Sequence, residues 1–87
     1  MPRGDRVVTS VTIYSRPDCH LCDEMKAVVA RVARSLPLAV EHVDISGNPR
    51  LEAQYGHEVP VLEIDGRKTA KYRVTEDELK RIVIAKR

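Results

Sequence analysis

Cys19 and Cys22 are the only two thiols in the chain, and two residues, His20 and Leu21, separate them. At the opening turn of a helix, a Cys-x-x-Cys spacing brings two sulfurs within disulfide range. The first sulfur then stands among backbone amides that no helical carbonyl satisfies, at the positive end of the helix dipole, where a thiolate is favoured. The second lies about one turn deeper and is better shielded. This asymmetry divides the labour of thiol–disulfide exchange: Cys19 attacks a substrate disulfide and Cys22 resolves the mixed disulfide. Two other readings compete. In one, the pair binds a metal or an iron–sulfur cluster, although zinc sites usually take four ligands, and His20, His57 or a second chain would have to supply the rest. In the other, the thiols are inert within a binding module.

The neighbours of the pair tune it. A protonated His20 beside Cys19 favours the thiolate, and so does Arg16, whereas Asp18, Asp23 and Glu24 oppose it. His42 reads as a strand residue with a packing or surface role, and His57 as a loop-surface residue.

These side chains need elements to hold them. Residues 7–14, rich in β-branched side chains, predict a first strand. Pro17 breaks the pattern, and Asp18 is the expected N-cap of a helix. Leu21, Met25, Val28, Val29, Val32 and Leu36 recur in threes and fours, which sets them on one helical face. Residues 38–45 form a second strand. Pro49 suits the first turn of a short helix containing Leu51, Ala53 and Tyr55, with Gly56 expected as its left-handed cap. Residues 61–64 read as a third strand, Asp65-Gly66 as a two-residue hairpin, and residues 67–73 as the returning strand. The cations of that strand, Arg67, Lys68, Lys71 and Arg73, suit a charge-protected sheet edge. Thr75 with Glu78 forms a capping box that opens a last helix, whose buried face should hold Leu79, Ile82 and Val83.

With 87 residues, the chain is read as a single domain over residues 1–87, residues 1–6 forming a flexible tail. Hydrophobic residues are 43% and charged residues 32%, the balance of a folded protein. Aromatics are 3%, too few for base-stacking platforms, and a net charge of +2 does not call for a polyanion, so nucleic acid is not an expected partner. No apolar run approaches the roughly 20 residues needed to span a bilayer, and the basic N-terminus lacks the apolar stretch of a signal peptide. One close cysteine pair fits a reducing compartment, and a monomeric cytoplasmic protein is expected.

Ile13-Tyr14-Ser15-Arg16-Pro17-Asp18-Cys19-His20-Leu21-Cys22, Val43-Asp44-Ile45, and Val59-Pro60-Val61-Leu62 with Asp65-Gly66 resemble the glutaredoxin branch of the thioredoxin superfamily, in particular its small members with a C-H-L-C type motif. The resemblance implies an α/β, thioredoxin-like fold of order β-α-β-α-β-β-α, a four-stranded mixed sheet flanked by helices. It implies a redox-active disulfide between Cys19 as nucleophile and Cys22 as resolving thiol, no prosthetic group, and a cis bond before Pro60. It matches Arg16 to a basic residue near a glutathione carboxylate, and Val59-Pro60 to backbone groups offered to substrate. The family's Gly-Gly-x-x-Asp-like segment, which holds the γ-glutamyl end of glutathione, is replaced by Lys71-Tyr72-Arg73-Val74-Thr75-Glu76-Asp77. Glutathione is therefore expected to be a poor reductant, and a protein disulfide or a thioredoxin-type reductase the better partner.

Overall fold

The first strand, β1 (Thr9–Ser15), lies inside the sheet and carries the chain to the cysteines. The computed structural model describes residues 8–85, so the expected tail and Val7 fall outside the described residues. After β1 come α1 (His20–Ala33), β2 (Leu38–Asp44), α2 (Pro49–Tyr55), β3 (Val61–Ile64), β4 (Arg67–Lys71) and α3 (Glu76–Ala85). The sheet order is β2-β1-β3-β4. β1 pairs in parallel with β2 and antiparallel with β3, which pairs antiparallel with β4. This is the expected fold, and β4 stands at the edge that its cations protect.

Alternation along β1 divides the core between the two faces of the sheet. Val11 and Ile13 pack with Leu62 and Ile64 of β3, with Met25, Val29 and Val32 of α1, and with Leu79 and Val83 of α3. Tyr14 packs instead with Ile45, Val61 and Tyr55 of α2. Among the described residues, no helix is long and apolar enough to cross a membrane.

Several local expectations are corrected: β1 starts at Thr9, so Val8 lies outside it, α1 ends at Ala33, short of Leu36, and β2 ends at Asp44 rather than residue 45. Asp18 is not the N-cap: its φ is +56°, a left-handed conformation that aspartate tolerates, and the helix begins one residue later with Cys19 as N-cap. Gly56 is not a left-handed cap either, since its φ of −54° and ψ of −32° are right-handed. Glycine is needed there for room. A Cβ would stand inside contact distance of the Glu52 carbonyl oxygen and 2.9 Å from a guanidinium nitrogen of Arg16. β1 runs to Ser15 rather than Tyr14, because Ser15 still pairs with Asp44. β4 ends at Lys71 rather than residue 73, because Tyr72 turns the chain with a φ of +69°.

Other local signals agree. Asp65 and Gly66 both have positive φ, +52° and +83°, as a two-residue type I′ hairpin requires. The Glu78 amide donates to Thr75 Oγ1 at 3.1 Å while Glu78 Oε1 accepts from the Thr75 amide at 2.9 Å, which closes the capping box.

Candidate redox site

Cys19 leaves β1 through Arg16, Pro17 and Asp18, and its extended backbone (φ −113°, ψ 108°) caps α1. Its sulfur accepts a hydrogen bond from the Cys22 amide at 3.1 Å, and its carbonyl accepts from the Asp23 amide at 3.1 Å. The thiol thus takes the capping role that a carboxylate or hydroxyl usually fills. Cys19 is partly exposed and Cys22 fully buried. The two are joined as a disulfide, with Cα atoms 5.1 Å apart. Among the described residues, no group of three His, Cys, Asp or Glu side chains stands ready for a metal ion.

Arg16 turns toward α2. Its guanidinium donates to Glu52 at 3.0 Å and to the Gly56 carbonyl at 3.1 Å, and it forms an ion pair with the same carboxylate. His20 is exposed, and its Nε2 lies 2.8 Å from Glu24 one turn along the helix. His42 is exposed on β2, and His57 is exposed in the loop after α2.

The register of β3 brings the proline loop to the same end of the sheet. Val61 lies opposite Tyr14, so Val59-Pro60 stands beside the exit of β1 toward Cys19. The Val59-Pro60 bond is cis, as the resemblance implies, and Pro60 is buried.

The loop is tied from the far side. The Tyr72 amide donates to the Pro60 carbonyl at 2.8 Å, and the Tyr72 hydroxyl donates to the His57 carbonyl at 2.9 Å. Lys68 donates to Glu58, and Lys71 lies 3.8 Å from the same carboxylate. The hydrogen bond from Lys68 holds the Glu58 carboxyl below its ordinary range.

Sequence reasoning gave no functional part to Tyr72 or to this set of ties. The one available signal was that Tyr72 lies in the segment, residues 71–77, that stands in place of the Gly-Gly-x-x-Asp-like segment of the resemblance. It also missed the pair Tyr14 and Tyr55, whose rings stack with centroids 4.2 Å apart. Both hydroxyls donate to Glu63, at 3.3 and 2.8 Å. Burial, reinforced by Glu63, pushes both phenols above their ordinary range.

A family model described as glutaredoxin-like domain (DUF836) matches residues 10–83. The protein XcR50 from X. campestris is 36% identical, with a TM-score of 0.73 over 86% of this chain and 96% of that one. A mutant thioredoxin from Halobacterium salinarum is 27% identical, with a TM-score of 0.61 over 88% of this chain and 73% of that one. The Mycobacterium tuberculosis protein Rv0508 is 28% identical over 75 residues, which cover 80% of this chain and 77% of that one.

Proposed function

We propose that this chain, which belongs to the glutaredoxin-like domain (DUF836) family, is a thiol–disulfide oxidoreductase with Cys19 as nucleophile and Cys22 as resolving thiol. One observation carries the reading: a disulfide-linked pair at a helix N-terminus, one sulfur reachable from solvent and the other fully buried. The Cys22 amide aimed at the Cys19 sulfur, together with the dipole of α1, stabilises a thiolate at Cys19 in the reduced protein.

In the reducing direction, the Cys19 thiolate attacks one sulfur of a substrate disulfide. A new S–S bond forms, the substrate bond breaks, and the first substrate thiolate leaves and takes a proton from water. Cys22 then gives its proton to solvent and attacks the Cys19 sulfur, which expels the second substrate thiolate. The substrate gains two electrons and the protein pair loses two. A dithiol donor returns them by the reverse exchange, with no prosthetic group. A protein reductase of the thioredoxin type is the preferred donor over glutathione, since Arg16 already holds Glu52 and the Gly-Gly-x-x-Asp-like segment is absent. A reducing cytoplasm would keep such a pair cycling.

The test is intact mass analysis after incubation in a glutathione redox buffer. The native chain should lose two mass units as the pair closes. Cys22→Ser should accumulate an adduct on Cys19, and Cys19→Ser far less. Equal adducts on both variants would remove the division of labour, and a pair that never closes would remove the function.

A further inference from the structure

Glu63 is a carboxylate that neither the exchange chemistry nor an ion pair uses. It lies opposite Lys68 in the register of β3 with β4, yet Lys68 is taken by Glu58. Among the described residues, no cation pairs with Glu63. Its two oxygens face phenols instead, Oε2 that of Tyr55 at 2.8 Å and Oε1 that of Tyr14 at 3.3 Å. The rings stack at 4.2 Å with 18° between their planes, and Tyr55 is only 4% exposed. The side-chain amide of Gln54 donates to the same Tyr55 oxygen at 3.2 Å.

Burial holds both phenols protonated at neutral pH. Removing an electron from a phenol turns its hydroxyl into a strong acid, so the loss is easy only where a base already holds the proton. Tyr55 meets that condition through a short bond to an ionised acceptor. The Tyr14 ring lays its negative face against the ring that becomes electron-poor. Tyr72, the third tyrosine, meets neither condition. Its hydroxyl donates to a peptide carbonyl, a far weaker base than a carboxylate, and the Lys71 ammonium stands 5.6 Å from its ring.

We propose that Tyr55, with Tyr14 stacked on it and Glu63 as proton acceptor, is an electron-donor site for diffusible one-electron oxidants, separate from the cysteine pair. One electron passes from the Tyr55 ring to the oxidant. The Tyr55 O–H bond breaks, its proton moves to Glu63 Oε2, and a neutral phenoxyl remains. Gln54 keeps its hydrogen bond to the phenoxyl oxygen, and burial keeps the radical from coupling with that of a second molecule.

The test uses the disulfide-closed protein, which offers no thiol to the oxidant, and photogenerated tris(bipyridyl)ruthenium(III) as the probe. The chain holds three tyrosines and no tryptophan, so Tyr72→Phe leaves the stacked pair as the sole phenols. Phenoxyl absorbance should then rise at pH 7 at a rate independent of the concentration of buffer base. The double variant Tyr14→Phe, Tyr55→Phe leaves Tyr72 alone. Its rate should be at least tenfold lower and should climb with buffer base, which must take the proton. Glu63→Gln added to Tyr72→Phe should slow oxidation at least tenfold and bring the same buffer dependence, since an amide accepts no proton. Tyr14→Phe added to Tyr72→Phe keeps the bond from Tyr55 to Glu63 and should stay independent of buffer. That variant decides the matter if Glu63→Gln does not fold. The proposal is overturned if the pair reacts no faster than Tyr72, if Glu63→Gln folds and leaves the rate unchanged, or if either chain that keeps Tyr55 and Glu63 follows buffer base.

Discussion

Glu63 accepts hydrogen bonds from two stacked phenols on the face of the sheet that α2 covers, and their protons are held against alkaline pH. Tyr14 and Tyr55 both titrate above the ordinary value of 10.0, chiefly through burial. A group whose folded pKa is raised contributes stability that is fully present below the unfolded pKa and is lost as pH rises past it. Stability toward urea should therefore fall above about pH 10, because the unfolded chain releases phenolic protons that the native state keeps. Tyr55→Phe should cost about 1 kcal/mol at pH 7 through the lost hydrogen bond and should flatten the alkaline decline. Urea titrations at pH 7, 10 and 11 check both effects, and an unchanged alkaline slope would refute the assignment. Among individual residues, the cysteines were legible because their spacing is local. Asp18 was misread because a thiol took the cap, a residue type rarely counted among caps. Tyr72 carried no readable role because the carbonyls it binds, of His57 and Pro60, lie 15 and 12 positions earlier in the chain.

Helix α3 depends on the reciprocal bonds of Thr75 and Glu78. Thr75→Ala removes the hydroxyl cap and should cost about 1 kcal/mol, seen as a fall of roughly 4–8 °C in melting temperature for a domain of this size. The Thr75 amide holds the Glu78 carboxyl below its ordinary 4.5. A depressed carboxyl stabilises above its unfolded pKa and loses that contribution as pH falls through the folded value. The deficit of Glu78→Gln relative to native should thus be present at pH 7 and shrink as pH drops below about 4.5, and thermal melts across that range measure it. At this scale the apolar periodicity of α1 and α3 and the Asp65-Gly66 turn were legible, since each is set by neighbours within a few positions. The end of β4 and the purpose of Gly56 were not. The first is set by the turn at Tyr72, and the second by the approach of Arg16 from 40 positions away.

Across the whole molecule, β1 joins the two packed faces and delivers the cysteine turn, while β3 delivers the proline loop at the same end. Leu79, fully buried between sheet and helices, should cost roughly 2–5 kcal/mol on change to alanine. Ile84→Ala on the same helix, where the side chain is 55% exposed, should stay within about 0.5 kcal/mol. Denaturant unfolding of the pair of variants tests whether the sheet–helix layer carries the stability. The order of elements was legible because short connections and the family landmarks leave few alternatives. The meeting of β3 with β1 was not legible, since no local pattern specifies an antiparallel partner some 50 positions away. The disulfide joins residues only three positions apart. A cross-link restrains an unfolded chain according to the loop it closes, and a loop of about four residues is worth only about 2 kcal/mol in chain entropy, against nearly 5 for a loop of about one hundred. Opening the bond between Cys19 and Cys22 therefore costs the fold less than half the chain entropy that a bridge across a loop of about one hundred residues would cost.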